Sequence, residues 1–133
     1  MPTGGTIAAI GTPQGHSTRA IIRISGPDAR ECIESITTLS DPTRGIHKCR
    51  VRIDDQHTLP CLVIWFDCPR SYTGEDVAEL VLVGNPVILQ RTLDQIYQIP
   101  GLQRAQPGEF SARAYLNDRL TLAQAEGVAL RIA

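Results

Sequence analysis

The sequence predicts an α+β domain with a mixed or antiparallel sheet and packed helices. Apolar or alternating segments recur at Thr6 to Gly11, Ala20 to Ser25, His47 to Ile53, Thr58 to Phe66 and Asp76 to Val83, bounded by Gly, Pro, Asn, Asp or Ser. Asp54-Asp55-Gln56 joins two of them as a hairpin, so at least that pair is antiparallel. Helical patterns interleave irregularly, without the repeating strand–helix–strand unit of a doubly wound sheet.

Each element has a local reason. After the first two strands, Gly26-Pro27-Asp28 reads as a helix start, with Pro at the first helical position and Asp in the first turn. This helix is expected to turn Ala29, Cys32, Ile33 and Ile36 inward and to end near Thr38. Asn85-Pro86 opens a second helix as N-cap and first-turn proline, carrying Leu89, Leu93, Ile96 and Tyr97 at helical spacing until Ile99-Pro100-Gly101 stops it. A loop through Gln106 to Glu109 leads to a short helix, Phe110 to Leu116. Thr121-Leu122-Ala123-Gln124 then has the form of a capping box. Residues 1–120 are expected to form one domain and 121–133 the start of a following helical region, since no Gly or Pro closes the last helix before Ala133.

Composition excludes several classes. The formal charge of −1 gives no global field to attract nucleic acid. No stretch approaches the roughly 18 apolar residues of a membrane span and no signal peptide is visible, so a cytoplasmic location is expected. Cys32, Cys49, Cys61 and Cys68 form no CxxC pair and have no His at finger spacing, which favours small reduced core residues over a metal or disulfide framework. The single lysine, Lys48, follows His47, so no GxxxxGK[ST] phosphate loop is present. No Ser-His-Asp or Cys-His arrangement stands out, and no catalytic residue is assigned.

Glu79 breaks the pattern of its strand. In DVAELVLV it falls between Val77 and Val81 on one apolar face, and an ionised carboxylate among valines needs a partner. Arg23, on the strand face opposite Ile22 and Ile24, could neutralise it. A plain internal ion pair, or a solvent-facing edge position, is the bland alternative. Tyr72 and Trp65 are candidates to stack on a ligand, with core packing favoured for both. Glu109 reads as a helix-start acid.

Three segments lie in order along the chain: Thr6 to Gly15 (TIAAIGTPQG) followed by Ile21 to Pro27 (IIRISGP), Ser71 to Leu80 (SYTGEDVAEL), and Pro107 to Glu126 (PGEFSARAYLNDRLTLAQAE). Together they resemble the N-terminal domain of the tRNA-modification GTPase family MnmE (TrmE), over nearly the whole chain. The resemblance implies a 5-formyl-tetrahydrofolate-binding and dimerisation domain, similar in fold to the folate-binding domain of glycine-cleavage T proteins. Its folate contacts map onto Arg23, Glu79 and Arg119, the last at a position where the family usually has lysine. GTP, K+ and Mg2+ would belong to a GTPase domain that these residues do not contain. The partners implied are a second copy, an MnmG (GidA)-like flavoprotein and tRNA, the latter two through the full-length family protein in wobble-uridine modification.

The resemblance also rationalises Glu79. A pterin presents a 2-amino group beside a ring N–H, two coplanar donors that one carboxylate can accept. Two departures stand against this. The family's glycine-rich loop is replaced by Gly15-His16-Ser17-Thr18-Arg19-Ala20, and its His-Gly-Gly-Pro run by Val83-Gly84-Asn85-Pro86. Lost glycines narrow the approach of backbone to ligand. The alternative is therefore a divergent paralogue that dimerises without binding folate. A one-carbon transferase would need an acid beside the ligand's N5, with only Glu109 or Asp76 as candidates, and ranks behind both.

Overall fold

The computed structural model describes residues 4–11, 18–124 and 127. Six strands form one mixed sheet in the order β3-β4-β5-β2-β1-β6: β1 Thr6–Ile10, β2 Arg19–Ser25, β3 Gly45–Arg52, β4 Thr58–Phe66, β5 Val77–Val83 and β6 Leu102–Arg104. Neighbouring pairs are antiparallel except β1 with β6, which is parallel. The helices are α1 Ala29–Ile36, α2 Pro86–Tyr97 and α3 Glu109–Leu116, and a further helical turn opens at Leu122. The α+β expectation holds, and the sheet is mixed.

The register divides the sheet into two faces. One carries Ala8, Ile22, Ile24, Val63, Trp65, Ala78 and Leu80, none of them accessible to solvent, against Cys32 and Ile33 of α1 and Leu93 and Ile96 of α2. Burying such side chains gives about 1.5–3 kcal/mol each relative to exposure. On the other face, Ile46, Ile64, Glu79, Arg23 and Ala9 stand in one row across five strands, because each is the direct cross-strand partner of the next.

Helix α2 begins as its sequence dictates: Asn85 Oδ1 accepts from the backbone N–H of Val87 (2.9 Å) and Ile88 (3.1 Å), with Pro86 at the first helical position. The Thr121 capping box also forms, Gln124 N donating to Thr121 Oγ1 and Thr121 N to Gln124 Oε1.

Two expectations are corrected. Helix α1 starts at Ala29, not at Pro27, and its N-cap Asp28 makes no side-chain capping bond. Gly26 adopts φ +139°, and a Cβ there would lie 2.6 Å from Thr6 Cα, so β1 presses on the turn. Asp28 N donates to Thr6 Oγ1 at 2.7 Å, which holds this segment as a turn. The region after α2, read as loop, contains β6, whose three residues show no alternation.

All four cysteines are free thiols. Burial pushes the Cys32 thiol up to about 12, with Asp28 adding to the effect. Burial and then the hydrogen bond with Cys49, 3.5 Å away, raise Cys61 as well. Cys68 is exposed. Since only the thiolate attacks, a disulfide reagent at pH 8 should modify Cys68 within minutes and Cys32 and Cys61 only on unfolding, a difference that timed mass mapping reads directly.

Trp65 is fully buried and donates its indole N–H to Asp67 at 2.6 Å. Trp65→Ala should lower stability by about 3–5 kcal/mol, measured as a fall in the urea midpoint at unchanged slope.

Candidate ligand-binding site

Strand pairing sets Arg23 of β2 directly opposite Glu79 of β5. The guanidinium donates from Nε (3.1 Å) and Nη2 (2.8 Å), both to Oε2 of the carboxylate. Their side chains are 29% and 18% exposed, so the pair is neither dry nor freely solvated. Among the described residues, Glu79 Oε1 accepts no hydrogen bond. The aromatic rings of Tyr72 and Phe110 lie with centroids 5.6 and 5.7 Å from Arg23 Cζ, within cation–π range.

The rings are held there by the segment that connects β4 to β5, together with α3. Ser25, one step along β2 from the Arg23 row on the same face, shares a 2.7 Å hydrogen bond with Thr73 and donates to Glu75 Oε1 at 2.8 Å. Glu75 accepts from Arg113 Nη1 (3.1 Å), and Glu109 accepts from Arg113 Nη2 (3.1 Å). Arg113 is 3% exposed, which makes it the one charged residue in the buried set among the described residues. Gly74 closes the packing: at φ +83°, a Cβ would meet Asn117 Cβ at 2.8 Å and Arg119 Cγ at 3.3 Å.

Arg23 and Glu79 are thus brought together, while Arg119 takes a different station. It lies on the turn after α3, exposed, and donates from Nε to the carbonyl of Ser71 at 3.0 Å. It lines a neighbouring cleft with Tyr72. Trp65 points into the core, away from the site. Tyr72, for which core packing was favoured, is 39% exposed and hydrogen-bonds Ser111, because its ring rests on Arg23 outside the core. Glu109 and Asp76 are both engaged locally, by Gln106 N and Arg113 and by Cys68 N respectively. His16 lies outside the described residues, as do Gly15 and Ser17 beside it.

Sequence reasoning missed Phe110, Glu75 and Arg113. The spacing of Glu109 and Arg113, four apart on a helix, was the available signal for the last of these. Among the described residues, no group of His, Cys, Asp or Glu side chains could hold a metal ion, and no helix is long and apolar enough to cross a membrane.

Fold and site define an α+β module with one carboxylate–guanidinium centre, flanked by aromatic rings, on a sheet face that mixes apolar and basic residues. The family model described as "GTP-binding protein TrmE N-terminus" matches residues 6–119, and the chain belongs to that family. It is also 46% identical over 128 residues to the tRNA modification GTPase MnmE of Opitutus terrae. That match covers 96% of this chain and 28% of the relative, so the chain spans little more than a quarter of that protein's length.

Arg113→Ala would strand two acids around a vacated site. The cost should be about 2–3 kcal/mol, below the ~3–5 kcal/mol of a fully dry pair because Glu75 and Glu109 retain some solvent access. Chemical denaturation of Arg113→Ala beside Arg113→Lys measures it, and the lysine variant should recover only part of the loss.

Proposed function

We propose that this chain is the 5-formyl-tetrahydrofolate-binding and dimerisation domain of a cytoplasmic tRNA modification GTPase. The observation that carries the folate reading is Glu79: a half-buried carboxylate with one oxygen committed to Arg23 and the other open, beside two aromatic rings. Oε1 can accept a donor of the pterin edge, Arg23 keeps the carboxylate ionised and oriented, and the rings limit water at the pair. Hydrolysis of GTP, with K+ and Mg2+, belongs on this reading to a separate domain of the full-length protein. Encounters with tRNA and with an MnmG (GidA)-like flavoprotein are assigned to that full-length protein too.

The second-copy partner is supported by the same face. Ile46 is 68% and Val83 45% exposed, and Leu62, Ile64 and Val81 lie between them on the shared face, only partly covered. An apolar sheet surface of this kind is a recognised mark of an interaction site. A divergent relative that dimerises without folate would share this face, and ligand titration separates the two readings.

Calorimetric titration with 5-formyl-tetrahydrofolate should show saturable binding. Glu79→Ala should weaken it at least about thirtyfold, the loss of a charge-assisted contact worth ~2 kcal/mol or more. No heat at millimolar ligand, with a dimer still present in sedimentation, would leave only the assembly role.

A further inference from the structure

We propose that the cleft next to the Arg23–Glu79 pair receives a polyanionic tail of the ligand, an oligo-γ-glutamyl chain with more carboxylates than a single glutamate supplies. The inference rests on the folate reading above and extends it to Arg44 and Arg70. The cleft has a volume of about 470 Å³ and is lined by Arg44, Phe66, Arg70, Ser71, Tyr72 and Arg119. Its three guanidiniums come from separate segments: the turn before β3, the connection after β4 and the turn after α3.

Two of these cations are positioned by backbone carbonyls, not by acids. Arg44 Nη1 donates to the carbonyl of Arg70 at 3.2 Å, and Arg119 Nε to that of Ser71 at 3.0 Å. Among the described residues, none of the three has a carboxylate within ion-pair distance; the arginine ion pairs there involve Arg23, Arg30 and Arg113 instead. Like charges converging on one concave surface repel each other and focus a positive potential into it. Guanidinium forks match planar carboxylates.

Location selects the tail. Phe66 lies two residues beyond Ile64 on β4 and on the same face, so the cleft begins about 7 Å past the Glu79 row. Tyr72 is the common wall, lining the cleft while its ring rests on Arg23. A heterocycle held at Glu79 therefore extends past Tyr72 toward the arginines. A monoglutamyl tail brings two carboxylates to three guanidiniums, and a second γ-linked glutamate brings the third.

The test is calorimetry on the full chain with the mono- and triglutamyl forms of 5-formyl-tetrahydrofolate, compared at matched ionic strength over a series of salt concentrations. The triglutamate should bind about tenfold more tightly, an advantage that shrinks as salt is raised. An Arg44→Ala/Arg70→Ala double variant should weaken both forms but the triglutamate by the larger factor, so that the two bind within about twofold of each other. Arg44→Gln/Arg70→Gln serves in its place if thermal melting shows the alanine variant misfolded. Equal affinity for the two forms, or an advantage that survives in the folded double variant, overturns the tail site and leaves the folate reading standing. Failure of wild type to bind either form overturns both.

Discussion

The buried guanidinium of Arg113 is the constraint on which the arrangement of the site depends. Taking a charge this far out of water is unfavourable unless its hydrogen bonds are met, and two carboxylates from different segments meet them. Glu75 in turn accepts from Ser25 on β2, so the network fastens the β4–β5 connection and α3 to the sheet together. The covering of the outer face beside the Arg23–Glu79 pair follows from that fastening. Phe110 and Tyr72 reach Arg23 from the two fastened segments, and Arg119 leaves the turn after α3 already held by Ser71. Strand pairing thus sets the pair at the centre of the site, and a second ionic network holds the aromatic rings beside it.

The two faces of the sheet are closed unequally, and the polar centre sits at the step between them. Helices α1 and α2 cover most of the inner face, leaving Ile10 at its edge exposed. On the outer face the fastened segment covers the end that carries Ser25 and leaves the end that carries Val81 and Val83 partly open. A pair at this boundary keeps some contact with water, so its desolvation cost stays moderate. The wall behind it still excludes enough solvent for charge-assisted hydrogen bonds to be selective. The row nearer the closed end carries Ser25, whose polar atoms are fully satisfied by Thr73 and Glu75, and a row nearer the open end would hold its charges in bulk-like solvent, where an ion pair contributes little.

What was legible in the sequence follows the range of the interactions involved. Thr58–Phe66 was read to the residue, and Asn85 with Pro86 and the Thr121 capping box formed as expected, because each depends on neighbours within four positions. The Arg23–Glu79 pair was legible for a different reason: a carboxylate inside an apolar strand demands a partner wherever the chain supplies one. The start of α1 was misplaced because Gly26 and Asp28 answer to Thr6, some twenty residues earlier, and no local preference of Pro27 overrides that contact. Strand β6 has only Leu102–Arg104 and exists because β1 offers it an edge. Arg113 looks in sequence like any helix cation, and only the 38-residue reach to Glu75 buries it. Tyr72 has the composition of a core residue, yet the loop that carries it folds over a cation.

Counting lone pairs refines how a pterin would be accepted at this site. A carboxylate offers about four acceptor positions, two on each oxygen. Arg23 takes Oε2 with both of its bonds, so that oxygen is saturated while Oε1 keeps its capacity. Two coplanar donors approaching side by side would ordinarily address both oxygens. Here the first meets Oε1 directly, and the second reaches Oε2 only if one of the Arg23 bonds yields. The longer Nε bond, at 3.1 Å, is the weaker claimant. If it yields, Nη2 still neutralises Glu79 at 2.8 Å, and the guanidinium stays near Tyr72 and Phe110 without leaving the wall. A single donor would therefore use Oε1 without disturbing Arg23, and a second coplanar donor would gain its contact only by displacing the Nε bond, an exchange of one hydrogen bond for another. The ion pair on this count leaves one defined oxygen for a ligand, held in a fixed orientation.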